Sequence, residues 1–290
     1  MIFRRPIPIV RPAAAKDRAA LSELISLSAH VHRHLDWRPP LDWLDSQPFL
    51  VLERDETLLA ALACPAEPPQ VAWLRLFVVH PRMQPNQAWE ALHAEAVRAL
   101  PLPRPQICAV ALQTWISELL HRQGFIHHQD IVTLEWSCQL KPLHLPEGIH
   151  IRPMVYEDLG DVAEIDQSAF EEIWRNRLVD VTRAYYQSAY ATVAVDANGA
   201  ILGFQISTSN GPQAHLARLA ARPHCQRRGI GVALVAELQQ HFAREGFYIV
   251  SVNTQSTNQA SLALYQKVGF VQTGERFPVW IDSTPAEETK

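Results

Sequence analysis

The sequence predicts an α/β chain, an α+β mixed sheet with helices on both faces, present as two tandem copies. Three paired landmarks carry this expectation. Ile9-Val10-Arg11-Pro12 matches His150-Ile151-Arg152-Pro153, and a helical pattern follows each. Residues 73–81 and 215–223 are both strand-like runs that end at a proline, before a helix rich in Ala, Leu and Glu. Leu119-Leu120-His121-Arg122-Gln123-Gly124-Phe125 matches Leu264-Tyr265-Gln266-Lys267-Val268-Gly269-Phe270. Arg152 lies 141 residues after Arg11, Pro223 lies 142 after Pro81, and Gly269 lies 145 after Gly124. One shared offset with small loop drift marks a repeat. The expected domains are 1–141 and 142–290, joined near residues 141–148, where Pro142, Pro146 and Gly148 break regular structure.

In the second copy a short strand is expected at 149–153. A helix at 156–170 follows from Leu159, Val162, Ile165, Ala169 and Phe170 at helical spacing. A second helix is expected at 174–186. Strands at 191–195 and 201–208 flank Asp196-Ala197-Asn198-Gly199, whose Asn-Gly suits a hairpin turn. Asn210-Gly211-Pro212 makes the next turn, before a strand at 214–221. A helix ending near Glu245, a strand at 248–254 and a helix at 259–267 come next. A final hairpin is expected between Phe270 and Ile281.

The 290 residues are 48 % hydrophobic and 19 % charged, with net charge −4, which suits globular domains and gives no basic balance for nucleic acid. No apolar run approaches the roughly 20 residues of a membrane helix. Pro6 and Pro8 interrupt the stretch where a signal peptide would carry its apolar region, so the expected location is cytoplasmic. The four cysteines form no CxxC pair. His30 and His34 would share a helix face at i, i+4, but no nearby Cys or acid completes a metal set, and no metal is expected.

The chemistry concentrates at Gln226-Arg227-Arg228-Gly229-Ile230-Gly231, between a strand and a helix. A helix start leaves N–H groups unpaired at the positive end of its dipole. Glycines let a phosphate oxygen approach those groups, and Arg227 and Arg228 add positive charge. The run lacks the Gly-Lys-Ser/Thr of a Walker loop and the glycine spacing of a dinucleotide fingerprint.

These residues resemble the GCN5-related N-acetyltransferase (GNAT) superfamily. Its Gln/Arg-x-x-Gly-x-Gly/Ala signature is matched by residues 226–231. Its later motif, an Asn before a helix with Leu-Tyr-x-x-x-Gly-Phe, is matched by Asn258 and residues 264–270. The resemblance covers about 149–280. It implies two tandem acyl-CoA N-acyltransferase folds and an acetyl group carried from coenzyme A to an amine acceptor. By the same resemblance, the backbone of Leu219, Ala220 and Ala221 binds the pantetheine arm. Gln226, Arg227, Arg228, Gly229, Ile230 and Gly231 hold the pyrophosphate, Asn258 lies near the pantetheine, and Tyr265 protonates the departing thiolate. The family often places a Glu on or before the central strand. Here Gln213-Ala214-His215-Leu216-Ala217-Arg218 has none, and His215 is the substitute base. Glu164, Glu171 and Glu172 are weaker candidates. The expected partners are acetyl-CoA and an amine acceptor, with the protein a monomer or homodimer; the alternative is a non-catalytic acyl-CoA-binding regulatory or scaffold protein.

The first copy reads as degenerate. An offset of 142 puts Gln84, Pro85, Asn86, Gln87, Ala88 and Trp89 on the signature, so Gln87 and Trp89 replace the glycines. An offset of 145 puts Leu120 where Tyr265 stands. No productive coenzyme A binding is expected there.

Overall fold

A computed structural model describes residues 7–140 and 146–283. The chain divides into two compact units. The first contains the chain up to Gln129 together with the residues from Phe277 onward, and the second runs from Asp130 to Arg276.

In the first unit, β1 (Ile9–Pro12) leads through a short 3₁₀ turn into α1 (Arg18–Leu27), followed by β2 (His30–Arg33), β3 (Phe49–Arg54) and β4 (Thr57–Ala63). The central strand is broken into β5 (Val71–Trp73) and β6 (Leu76–Val79). Next come α2 (Pro85–Ala99), β7 (Gln106–Val110), α3 (Thr114–Arg122) and β8 (Ile126–Trp136). One sheet has the order β1-β3-β4-β6-β2, and β5 pairs in parallel with β7. Near-continuous burial along β3, β4 and β6 marks strands covered on both faces.

The second unit repeats the plan. It holds β9 (His150–Pro153), α4 (Leu159–Ala169), α5 (Leu178–Gln187), β10 (Tyr190–Val195), β11 (Ile201–Asn210), β12 (Gln213–Ala221), α6 (Ile230–Arg244), β13 (Ile249–Gln255), α7 (Gln259–Lys267) and β14 (Val271–Ile281). Its strands lie in the order β8-β13-β12-β11-β10-β9. Ala214 and Leu216 of β12 pack with Val235 and Leu238 of α6. Arg218 reaches Asp166 of α4, so helices cover both faces. The Asp196–Gly199 segment forms its turn as expected, with Gly199 at φ +84 and the Asp196 carboxylate accepting from the N–H of Asn198 and Ala200.

Two ion pairs recur at repeat spacing. Arg11 grips Asp17 at 2.8 and 2.9 Å, and Arg152 grips Asp158 at 2.6 and 2.8 Å. In each copy the carboxylate also accepts a backbone N–H, from Ala14 or Val155, which ties the first strand to the first helix. Further on, Arg75 binds Asp36 and lies over the Trp43 ring, while Arg218 binds Asp166 and lies over the Phe170 ring. Each of these arginines stands just past the last parallel pair of its central strand, Trp73–Cys108 or Leu216–Val252.

Three expectations differ from the structure. Residues 271–281 form one strand, not a hairpin, with Gly274 at φ +91 inside it. Its end, Val279–Ile281, pairs with β7 in the first unit. Likewise β8 starts in the first unit, yet its residues 131–136 pair with β13 in the second. The compact units thus divide at 129/130 and 276/277 and not at 141/142, and residues 141–145 lie outside those described. Finally, His30–Arg33 is a strand paired with β6, so His30 and His34 are not one helical turn apart.

His32 is buried beside the Leu74 carbonyl at 3.0 Å, and burial lowers its pKa to about 4. The folded state thus keeps it neutral while the unfolded chain protonates near 6.5. Its contribution is present above pH 6.5 and is lost as pH falls towards 4. Unfolding by urea, followed by fluorescence, should show about 2 kcal/mol of first-unit stability lost between pH 7 and 5 from this group. A His32→Gln variant should lose less over that interval, and equal losses would contradict the assignment.

Candidate active site

The site begins where two strands part. β12 and β13 pair in parallel only from Gln213–Ile249 to Leu216–Val252. Beyond that, a bulge inserts Ala217 between the pairs Ser207–Leu216 and Ile206–Arg218. Such a bulge bends its strand, here as β12 parts from β13. Residues 218–221 keep β11 on one side, and among the described residues no strand pairs with their other edge. Leu219, Ala220 and Ala221 therefore offer backbone groups to a slot. An extended amide-bearing chain can be bound there as an added strand.

Gly203 on β11 supports this edge at close range. A Cβ there would stand 2.7 Å from the Ala220 carbonyl oxygen and 2.9 Å from Ile230. At the end of β12, Gln226 reaches the Ala221 carbonyl at 3.5 Å, Arg227 takes φ +61, and Gly229 takes φ +82 as the N-cap of α6. Among the described residues no side chain caps α6. Its start is the positive end of a 15-residue helix, with exposed Arg227 and Arg228 beside it, and the Pro146 ring lies where a Cβ on Gly229 would meet it at 3.3 Å. That combination fits a pyrophosphate. Ile230 is buried and anchors the turn. Gly231 has an additional constraint, because a Cβ there would meet Leu264 of α7 at 2.5 Å. The sequence reading saw only phosphate approach at this glycine.

Tyr265 is 4 % exposed in the core under α6 and α7, with Phe270 at 5.6 Å between ring centroids. Burial raises its pKa, so it stays a neutral phenol and a proton donor. Among the described residues none hydrogen-bonds its hydroxyl. Asn258 caps α7, its side-chain oxygen accepting from the Ser261 N–H at 3.1 Å. This local job was invisible in the motif.

His215 lies on the opposite face, since its neighbours Ala214 and Leu216 point into the α6 core. Its Nδ1 is 2.9 Å from Ser251 Oγ, and Ser251 donates to the Ala214 carbonyl at 3.4 Å. With that proton committed, the Ser251 oxygen accepts Nδ1–H and Nε2 keeps a free lone pair. Burial lowers the His215 pKa, which keeps the ring neutral. Tyr265 and His215 thus stand on opposite faces of the sheet. Glu171 and Glu172 are exposed in the turn after α4, and Glu164 is drawn towards Arg222 at 3.8 Å.

The first unit carries the same splay with the slot filled. The free edge of its central strand is occupied by β2, whose pairs with β6 run from His30–Val79 to Arg33–Leu76. What is left is a cleft of about 400 Å³ walled by β2 itself, including Val31, His32 and Arg33. Trp89 is buried against Phe77, and Leu120 is fully buried. Sequence reasoning found the altered loop but missed the strand that fills the edge.

Residues 159–270 match the model of the Acetyltransferase (GNAT) family. A mycothiol acetyltransferase of Clavibacter sepedonicus is 29 % identical over 133 residues, covering 43 % of this chain and 44 % of that protein. The [ribosomal protein bS18]-alanine N-acetyltransferase of Escherichia coli is 26 % identical over 113 residues, covering 39 % of this chain and 74 % of that protein. The chain thus spans less than half the length of the mycothiol relatives it matches. A GCN5-related N-acetyltransferase from Sphaerobacter thermophilus shares the fold over 95 % of both chains, with TM-score 0.63 at 17 % identity. A tandem GNAT protein from the clavulanic acid biosynthesis pathway shares it over 98 % of this chain and 100 % of its own, with TM-score 0.64 at 16 % identity.

The Arg218–Asp166 pair anchors the segment after α4 to the splay, with Arg218 also donating to the Trp174 carbonyl. Asp166 is fully buried, so Asp166→Ala should cost on the order of 3 kcal/mol in urea unfolding by leaving the guanidinium uncompensated. Loss of under about 1 kcal/mol would mean that the pair is not an anchor.

Proposed function

We propose that this protein is an N-acetyltransferase that moves an acetyl or short acyl group from coenzyme A to a primary amine of a small molecule or a protein N-terminus. The observation that carries the reading is the conjunction of a strand edge at Leu219–Ala220–Ala221 that no described strand pairs with and a helix start at Gly229 that no described side chain caps. One suits the amides of a pantetheine arm and the other its pyrophosphate. The family match and the acetyltransferase names of the relatives support an acyltransferase enzyme.

Acetyl-CoA supplies an activated acyl group as a thioester. The residues of the chain supply orientation and proton traffic. Backbone groups of β12 align the arm, and the α6 terminus with Arg227 and Arg228 neutralises phosphate charge. His215 Nε2 accepts the proton of the attacking amine, and Tyr265 gives its phenolic proton to the departing sulfur. The two faces of the sheet then separate acceptor from leaving group.

Thiol release by the full chain with acetyl-CoA and a panel of primary amines tests the reading. Tyr265→Phe should lower kcat by roughly 10²- to 10⁴-fold while the KM for acetyl-CoA stays within about threefold. An unchanged kcat removes the acid role. Since burial holds the His215 pKa below 6.5, kcat/KM should fall on an acid limb below that pH, and His215→Ala should abolish the limb. A limb that survives in the variant assigns it to another group.

A further inference from the structure

The sheet face that carries His215 extends beyond it. Register places His215 opposite Ser251 on β13, and Ser251 opposite Glu135 on β8. Leu216, Val252, Leu134 and Trp136 alternate with these residues and fill the α6 core, so His215, Ser251 and Glu135 form one row on the other face. Three adjacent strands at about 4.8 Å spacing put the backbones of His215 and Glu135 about 10 Å apart. Glu135 is exposed, and among the described residues it has no hydrogen bond or ion pair. By contrast, the nearby Arg218 is committed to Asp166, and Asn253, in the adjoining row, is held by Thr133 at 3.0 Å. The row lies where β12 and β13 are about to part, at the mouth of the slot.

We propose that Glu135 is the carboxylate that receives the acceptor's ammonium group, holding it over Ser251 beside the His215 imidazole. A primary amine reaches the protein protonated at neutral pH and needs an anion before it needs a base. Glu135 supplies that charge at the edge of the slot, the neighbouring Nε2 takes the proton that turns the ammonium into the attacking amine, and the second N–H proton, released as the amide forms, replaces through water the one Tyr265 gives to the sulfur. The acceptor class is therefore cationic: a primary ammonium, not an alcohol, a thiol or a carboxylate-flanked amine. The strand carrying Glu135 lies outside the stretch that matches the acetyltransferase family. The proposal rests on the transferase reading for the identity of the reaction, while the binding it claims can be measured without turnover.

The test titrates the full chain, saturated with coenzyme A, with spermidine, tyramine, glucosamine and an alanine-terminated peptide by calorimetry. Glu135→Gln and Glu135→Asp are measured beside the wild type. We expect the wild type to bind at least one amine, and Glu135→Gln to weaken that binding by about tenfold or more. The acceptor KM should rise by a similar factor with kcat changed less than about threefold, and Glu135→Asp should recover part of the loss. Coenzyme A affinity and the thermal midpoint should not move, because the side chain is exposed. Binding by Glu135→Gln within about twofold of wild type overturns the proposal, as does a wild type that binds none of the amines. Glu135-dependent binding without acetyl transfer upholds it and instead defeats the transferase reading.

Discussion

The parting of β12 from β13 is the constraint on which the second unit depends. Four parallel pairs hold the strands together, then the Ala217 bulge turns β12 aside while its other edge stays paired to β11. A sheet split in this way exposes unpaired backbone inside a domain, which is costly unless something satisfies it. Arg218 braces the split by tying the segment after α4 to it through Asp166, Trp174 and Phe170. Gly203 lets β11 close on β12 where any side chain would collide with the Ala220 carbonyl. An extended ligand with its own amides can then fill the gap.

The two units show two ways to satisfy the same split. In the first, β2 lies along the open edge of β6 and His32 hydrogen-bonds the Leu74 carbonyl at the break of the central strand. In the second, the corresponding stretch after α4 folds into α5, and among the described residues no strand lies on the edge. The scaffold ion pairs persist in both copies, Arg11 with Asp17 and Arg152 with Asp158, since they serve folding alone. Residues suited to the ligand persist only where the edge is open: Gly229, Gly231 and Tyr265 against Gln87, Trp89 and Leu120.

Much of this was legible in the sequence where the signal is local. Asn-Gly at 198–199, the Gly229 turn and the helix carrying Tyr265 depend on residues adjacent in the chain, and they lie where their patterns put them. What failed was pairing between distant segments. Residues 271–281 contain Gly274 and Pro278, which suggest a turn, yet they form one strand whose end, Val279–Ile281, pairs with β7. His30–Arg33 is too short for its periodicity to separate helix from strand, and only β6 decides it. Ser251 and Glu135 carry no motif at all, and register alone brings them beside His215.

The central claim is that an open strand edge, and not the fold, determines which copy takes coenzyme A. Native mass spectrometry of the full chain with coenzyme A measures it directly. One molecule bound per chain, lost on Gly229→Trp, is the predicted result. Two molecules per chain, or one that survives the substitution, would contradict the account.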